Sequence, residues 1–417
     1  MLKLNKELKV KLTVFKNDKR AYVSFLILTF LFFATLPAEL ICNVRPLMLV
    51  VDGKAYFPIP FRYSEKDFGG TLPSEPDYKS ARFERILKGL PPSIQEETGT
   101  SFGLGLDDFE DEEPAFSIGM NDFEDSEEHV VRPAETKPGA EKILSPRDYW
   151  VLWPPIRYDY VYIPTESKTG NVVLAAPYET PAHKGEGLIP SSWEDGHYLG
   201  TDDRGRDVLA RLIYGFRISM IFGASLAITG TLIGCLIGGA QGFFGGWVDL
   251  VGQRMTEIWG SIPRLYILII LSSFLVPSAL LLFLILNLTA WMGIAAYIRA
   301  EFLKVRNFEF VKAAKGLGVS NFTIMRKHIL PNALTPVVTF FPFEVTAGIL
   351  ALVSLDYLNL GVPSPAPSMG ELLAQGKNNL QALWILLPTF TALTSMIILL
   401  TFIGEGIRNA FDPRKTL

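Results

Sequence analysis

The 417-residue sequence contains only two cysteines and four histidines. Its two cysteines, Cys42 and Cys235, lie at the end of one apolar run and well inside another, which does not suit a bridge between them. The four histidines show no HExxH or other metal-ligand spacing. The sequence therefore predicts two unpaired thiols, and neither a disulfide framework nor a metal site.

Signatures of nucleotide binding and of catalysis are also missing. The GxxxxGK[ST] loop and the dinucleotide fingerprint do not occur. A membrane-anchored enzyme would need a catalytic constellation, and none is found. We therefore expect a non-catalytic chain with no cofactor of its own, and any energy for its work must enter through a partner protein.

Charged residues are scarce, at 20% of the chain against about 25% in ordinary soluble proteins. The mean hydropathy of +0.26 is modest for a pure membrane protein, which indicates membrane-spanning segments diluted by a polar block. A span needs about 20 mostly apolar residues, so the long uncharged runs are candidate helices. These runs are residues 21–38, Arg217–Asp249, Arg264–Arg299, 334–355 and 380–404, of which 334–355 is interrupted by Glu344.

The run Arg264–Arg299 is too long for a single span. Its 34 uncharged residues would extend about 51 Å as one helix, and the sequence VPS at 276–278 supplies a break. We predict two helices here, the first of which begins earlier, near Asp249–Glu257. The chain then has six spans. Arg217, Arg264 and Arg299 end apolar runs and are expected to reach the lipid headgroups.

Basic residues are concentrated between the fourth and fifth predicted spans. The loop 299–333 contains seven Lys or Arg residues, whereas the loop 357–379 contains only Lys377. Positively charged loops stay on the inner side of the membrane, so the loop 299–333 and both termini are predicted to be cytoplasmic. The run 21–38 follows a basic segment without an A-x-A cleavage pattern, which predicts an uncleaved anchor helix.

The polar block that follows the first span has an acidic centre. Residues 107–128 contain eleven acidic residues and no base, so we predict that about 93–143 is disordered. The alternative, a cation-binding loop, lacks the DxDxDG arrangement of an EF-hand. The flanking stretches LMLVVDGKAYFPIPFRY and DYWVLWPPIRYDYVYI are rich in aromatic and β-branched residues, which predicts short strands in a small outer subdomain.

The stretch VKAAKGLGVSNFTIMRKHILPN, residues 311–332, predicts a helix–turn–helix elbow in the basic loop. One face of its first helix would carry Phe310, Ala313, Ala314 and Leu317. Gly318 permits a left-handed turn, and Ser320 can cap a second helix. One side of that helix would carry Phe322, Met325 and Ile329.

The second helix of the elbow would bend toward the membrane at Pro331. Two interpretations of the elbow have equal weight on physical grounds. It is either a docking element for a partner or an amphipathic loop that only anchors on anionic lipid headgroups.

The elbow resembles the EAA loop of ATP-binding-cassette (ABC) importer permeases, whose pattern is EAA, three residues, Gly, nine residues and I-x-L-P. The residues that match are Ala313, Ala314, Gly318, Leu330 and Pro331. Lys312 stands at the family's Glu position and His328 at its Ile position, so the partner surface is expected to differ there.

Other stretches are similar to peptide permeases. LGTDDRGRDVLARLIYGFRIS (199–219) and LDYLNLGVPSPAPSMGELLAQG (355–376) resemble segments of the oligopeptide and dipeptide C-type subunits. RPLMLVVDGKAYFPIPFRYSEKDFGG (45–70) and GEGIRNAFDPRK (404–415) resemble the membrane subunit of the Yej-type peptide and microcin C importers. The resemblance covers most of the chain, and no counterpart is found for about 93–143.

This resemblance implies an all-α polytopic membrane protein with the six-helix type I (MetI-like) permease fold, carrying a periplasmic insert between its first two spans. The implied organisation is a cytoplasmic basic N-terminus 1–20, a first span 21–41, a periplasmic region 42–212, a permease core 213–410 with the coupling loop 299–333, and a cytoplasmic tail 411–417.

The implied function is import of peptides or peptide-like compounds of the microcin C class across a bacterial inner membrane by alternating access. The implied partners are a homologous second permease subunit, ATPase subunits that are separate or fused and hold ATP and Mg²⁺, and a periplasmic substrate-binding protein. Lys312, Ala313, Ala314, Gly318, His328, Leu330 and Pro331 would form the contact to the ATPase.

Two polar features remain outside that motif. Glu344 is the one carboxylate deep in an apolar run, and intramembrane charges tend to face a water-filled path, so it is a candidate for the translocation path. The polar stretch 202–207 is expected to be mainly a structural turn with internal ion pairs. An ion-coupled secondary transporter is the alternative function, but it would predict inverted repeats and several intramembrane charges.

Overall fold

The protein is described by a computed structural model in which residues 6–91, 147–164, 167, 172–181, 188–276 and 278–412 are placed. These residues form two units, Met1–Val44 with Pro154–Leu417, and Arg45–Trp153. The predicted disordered segment 93–143 and the end of the predicted tail lie outside the described residues.

The first unit is mainly helical. Its helices before the permease core are α1 (Lys6–Asn17), α2 (Lys19–Thr35) and α3 (Ala38–Ile41). Those of the core, numbered to leave α4 for the second unit, are α5 (Val208–Phe244), α6 (Gly246–Ser261), α7 (Arg264–Phe274), α8 (Ala279–Val305), α9 (Glu309–Gly316), α10 (Asn321–Thr323), α11 (Leu330–Tyr357), α12 (Met369–Asn378) and α13 (Leu383–Phe411). Two short strands, Thr180–Pro181 and Leu188–Ile189, pair antiparallel.

Helices α5 and α8 pack closely because α5 presents a row of glycines. Gly230, Gly234, Gly238 and Gly242 recur every four residues, so they share one face of α5. A Cβ atom at Gly238 would lie only 2.2 Å from the carbonyl oxygen of Ala295. The missing side chains let the two backbones touch, as small residues do between membrane helices.

Four helical segments in the described part of the chain are long and apolar enough to cross a membrane. They are Val208–Phe244, Ala279–Val305, Asn321–Tyr357 and Leu383–Phe411, which match the second, fourth, fifth and sixth predicted spans. The first predicted span contains α2, which has 17 residues. The count of six spans stays a prediction.

The predicted third span is not one continuous helix. It is divided between α6 and α7, because Pro263 lacks the N–H that would continue the hydrogen-bond ladder. The predicted break at 276–278 is confirmed, since α7 ends at Phe274. Ser278 caps α8 by accepting a hydrogen bond from the backbone N–H of Leu281 at 3.1 Å.

Two arginines that end apolar runs bind carboxylates. Arg217 donates two hydrogen bonds to Glu39, at 2.8 and 2.9 Å. Arg299 pairs with Asp249, with 2.7 Å between Nη2 and Oδ2. Each of the two arginines thus has an acidic partner from a distant part of the sequence, and their expected position at the lipid headgroups stays a prediction.

The second unit contains the strands that the aromatic stretches predict. Strands β1 (Met48–Val51), β2 (Lys54–Tyr56) and β3 (Tyr149–Leu152) form an antiparallel sheet in the order β2-β1-β3. The helix α4 (Ala81–Leu87) covers one face of the sheet, and Leu49, Phe68 and Phe83 pack in the core between them. The prediction of a small stranded subdomain is confirmed.

Candidate coupling site

A helix–turn–helix segment follows α8 in the basic loop. Helix α9 ends at Gly316, and Gly318 has φ +74°, a left-handed conformation that favours glycine. Ser320 then caps α10 by accepting a hydrogen bond from the backbone N–H of Thr323 at 3.4 Å. The left-handed turn and the cap that the sequence predicts are confirmed.

The second half of the segment differs from the predicted α-helix and bend. Helix α10 continues through a π-helical stretch, Ile324–Ile329, directly into α11. The N–H of Leu330 donates to the carbonyl of Met325, five residues earlier. Pro331 lies in the first turn of α11, where its missing N–H costs little. The predicted bend at Pro331 is therefore wrong, and Asn321–Tyr357 is one continuous helical segment.

The inner face of the segment is seated on α8. Val311, Ala314 and Ile329 are buried and pack in one cluster with Ile298 and Phe302 of α8. Both halves of the elbow contribute residues to this cluster, so the turn is packed against the long helix α8. A displacement of the elbow would therefore be passed on to α8, because close-packed interiors deform little.

The outer face carries three large apolar side chains with no cover. Phe310 is 43% exposed, Phe322 69% and Leu317 83%. We call these three residues the coupling surface. Ala313 is also exposed. An exposed apolar group of this kind, surrounded by polar residues, marks a site of interaction.

Two predicted faces need correction. Ala314 turns inward, away from Phe310 and Leu317, because the exposed side of α9 is narrower than the apolar pattern suggests. Ile329 is buried whereas Phe322 is exposed, so they do not share a side. The π-helical stretch between them turns through a smaller angle per residue than an α-helix, which shifts the periodicity of the faces.

Exposed basic side chains lie close in the sequence to the residues of the coupling surface. Lys315, Arg326 and Lys327 are exposed. Lys312, at the position of the family's Glu, forms an exposed ion pair with Glu309 at 2.9 Å. His328 and Leu330 are half-buried, and Pro331 is exposed. Of the residues predicted from the motif, Ala313, Lys312 and Pro331 are open to a partner, and Gly318 shapes the turn.

A buried polar network joins the start of α5 to α12. The Arg206 guanidinium lies 2.7 Å from Asp202 and 3.2 Å from Glu371. Arg211, fully buried, lies 2.5 Å from Glu371 and 3.5 Å from Asp202. Burial alone would lower the pKa of Arg206, but the carboxylates of Asp202 and Glu371 raise it on balance. The predicted ion pairs of this turn are confirmed for Asp202 and Arg206.

The network extends to the end of α11 through hydrogen bonds. The hydroxyl of Ser368, which caps α12, donates to Asp356 at 2.5 Å, and the N–H of Val362 donates to the same carboxylate at 2.8 Å. A Cβ at Gly361 would lie 1.7 Å from an Asp356 oxygen, so only glycine fits there. Sequence reasoning missed Arg211, Asp356 and Glu371, although acidic residues inside the motif-bearing stretch 355–376 were a visible signal.

Glu344 lies in the middle of α11. Its side chain is half-buried, and a Cβ atom built at Gly293 of α8 would lie 4.0 Å from its Oε1. The carboxylate thus faces a neighbouring helix of the bundle, as intramembrane carboxylates usually do. It lies 13 residues after Pro331 and 12 before Asp356, which is about 20 and 18 Å along the helix.

Comparison with known proteins assigns residues 230–417 to the model of a family described as binding-protein-dependent transport system inner membrane component. The chain is 40% identical over 408 residues to the peptidoglycan transport system permease protein YejE of Agrobacterium fabrum, covering 96% of this chain and 92% of that protein.

Two further relatives come from Escherichia coli K12. The inner membrane ABC transporter permease protein YejE is 37% identical over 403 residues, covering 97% of this chain and 96% of that protein. The oligopeptide transport system permease protein OppC is 37% identical over 222 residues, which cover 53% of this chain and 74% of that protein. The YejE match spans nearly the whole of this chain, whereas the OppC match spans about half of it.

Proposed function

The chain belongs to the family of binding-protein-dependent transport system inner membrane components, and we propose that it forms half of the channel of an ABC importer for peptides or peptide-like compounds. It is a permease subunit, the non-catalytic translocation component of such a transporter, and a multi-pass protein of the inner membrane. The ion-coupled alternative finds no support among its relatives.

The substrate class follows from what the relatives share. One is described as a peptidoglycan transporter and another as an oligopeptide transporter, and both cargoes contain amino acids in amide linkage. The microcin C class is a narrower part of this proposal. Glu344, which faces the bundle interior, would attract cationic groups of such a cargo, so Glu344→Gln should reduce uptake of a cationic peptide more than that of a neutral one.

The main support for coupling to an ATPase is the composition of the coupling surface. Its apolar centre of Phe310, Leu317 and Phe322, with lysine and arginine close by in the sequence, has the composition of a protein interface with an apolar core and a polar rim. A loop that only bound lipid headgroups would not need an inner face packed against α8. We therefore favour docking over lipid anchoring.

The proposed partner at this surface is an ATPase subunit, either separate or one half of a fused pair, in which ATP and Mg²⁺ bind. Closure of the ATPase dimer would push the elbow, and its inner face would pass the push to α8 and α11. A homologous second permease would complete the channel, and a periplasmic binding protein would deliver the cargo. Alternating access then requires a helix bundle with two packings that ATP and cargo favour differently.

The test is co-purification of the ATPase with a double variant, Leu317→Asp and Phe322→Asp. Hot-spot residues contribute about 2 kcal/mol or more each, so we expect retention of the ATPase to fall by well over tenfold and uptake to stop. Leu380→Asp changes a leucine of similar exposure, 66%, outside the elbow and serves as the control. Full retention and uptake in the double variant would contradict the proposal.

A further inference from the structure

A cavity of about 410 Å³ lies between the start of α2 and the last turns of α13. Its charged lining consists of Asp18, Lys19, Arg20 and Glu405, and Phe402 provides an apolar wall. None of these residues belongs to the coupling surface or to the polar network. The cavity therefore needs an explanation of its own.

The floor of the cavity is rigid. Ala21 is almost completely buried, and a Cβ at Gly406 would lie 2.1 Å from the Ala21 Cβ, so α2 and α13 touch directly. The Asp18 carboxylate caps α2 by accepting a hydrogen bond from the N–H of Ala21 at 3.4 Å. The backbone around the cavity is thus fixed by packing and capping.

The charges around the cavity are not neutralised by one another. Within the described residues, no ion pair involves Lys19, Arg20 or Glu405, and all three side chains are exposed. A lone anion in the cavity would gain from the two basic residues but would face the carboxylates of Asp18 and Glu405. A ligand that carries one group of each sign satisfies both pairs.

The outer face of α2 continues from this cavity as an apolar stripe. The stripe consists of Val23, Leu26, Ile27 and Phe30, each at least 43% exposed. Their spacing of i, i+3, i+4 and i+7 places them on one side of the helix, beginning one turn beyond Arg20. With α2 as the predicted first span, about 26 Å long against a hydrocarbon core of about 30 Å, the cavity would lie at headgroup depth and the stripe among the acyl chains.

We propose that this cavity binds the headgroup of a phospholipid that carries a primary amine, such as phosphatidylethanolamine. The phosphate lies at Lys19 and Arg20, the ammonium lies at Asp18 and Glu405, and the acyl chains run along the stripe of α2. A free phosphoethanolamine has the same charges but nothing to place on the stripe, so the lipid is the ligand to which the geometry points.

Native mass spectrometry of the full chain, purified in detergent and given defined lipids, tests this site. We expect phosphatidylethanolamine to be retained over phosphatidylglycerol, which lacks the ammonium, and over phosphatidylcholine, whose quaternary nitrogen has no N–H to donate to Asp18 and Glu405. Lys19→Gln with Arg20→Gln should lower its retention about thirtyfold, since each basic residue near the membrane surface contributes about a factor of five. Lys16→Gln, an exposed lysine of α1 that does not line the cavity, is the matched control and should leave retention unchanged.

Glu405→Gln distinguishes this site from a general anion site. It should reduce retention of phosphatidylethanolamine while leaving phosphatidylglycerol unaffected or better bound. Three results would each overturn the proposal. These are equal retention in wild type and in the Lys19/Arg20 double variant, unchanged lipid preference in Glu405→Gln, and complete displacement of the lipid by an equimolar amount of soluble phosphoethanolamine.

Discussion

Replacement of Glu371 by Gln should destabilise the protein strongly, although the change removes only one charge. Glu371 pairs with the buried Arg206 and Arg211 and, at 3.8 Å, with the exposed Arg204. The Glu371 carboxylate lies 3.2 Å from Arg206 and 2.5 Å from Arg211, and Arg211 has no exposed surface in its side chain. Glu371→Gln therefore leaves one uncompensated positive charge in a buried place.

Breaking a buried ion pair on one side costs about 3–5 kcal/mol. We expect the lower end, about 3 kcal/mol, because the Glu371 side chain keeps 16% of its surface in contact with solvent. The matched control is Glu257→Gln, whose carboxylate pairs with Arg254 on the surface with more than half of both side chains exposed. Exposed pairs contribute about 0–1 kcal/mol, so this variant should behave almost as wild type.

Thermal unfolding in detergent, followed by tryptophan fluorescence, measures the difference. At about 2 °C or more per kcal/mol, Glu371→Gln should lower the midpoint by about 6 °C, and Glu257→Gln by about 2 °C at most. Adding Arg211→Met to Glu371→Gln removes one buried positive charge, leaves Arg206 paired with Asp202 and should recover part of the loss. Equal midpoints for the two single variants, or a further loss in the double variant, would refute the account of a charge-balanced buried network.

Three other predictions concern the turn, the free thiol and the helix contact. Gly318→Ala should lower the free energy of unfolding by about 1 kcal/mol because Gly318 has a positive φ, whereas Gly316→Ala in α9 should be neutral or stabilising. A Cβ atom meets no atom within 4 Å at either position, so the difference between the two thermal midpoints measures the backbone effect alone. Burial raises the pKa of Cys42 to about 12, so its thiol stays protonated and should resist maleimide from pH 7 to 9 until the protein is denatured; rapid labelling of the native protein would contradict this. Gly238→Leu should separate α5 from α8 and abolish stable insertion, as judged by the yield of detergent-soluble monodisperse protein, while normal yield would argue against the close contact with Ala295.

Most of the long helices could be predicted from the residue types of short stretches of sequence. Uncharged runs located the helices at α5, α8, α11 and α13, because hydrophobic length is a property of consecutive residues. The same holds for the break before Ser278 and for the left-handed turn at Gly318, where one residue type is enough to indicate the conformation.

Features that depend on contacts between distant residues were not predicted. Glu371 joins Arg206 and Arg211 across about 160 positions of the chain, and nothing in its own neighbourhood signals this. The same reason explains why the pairing of Arg217 with Glu39 was not predicted. The π-helical stretch before Pro331 was also missed, since it depends on how α11 continues and not on a local motif.

The coupling function of the elbow can be tested most directly by photo-crosslinking within the assembled transporter. A benzophenone amino acid replaces Leu317 or Phe322 of the exposed surface, and Val311 of the inner face or Leu380 outside the elbow as controls. The account predicts strong crosslinks to an ATPase subunit from positions 317 and 322, and none from 311 or 380. An intact complex without crosslinks from 317 and 322, or with equal crosslinks from 380, would contradict it.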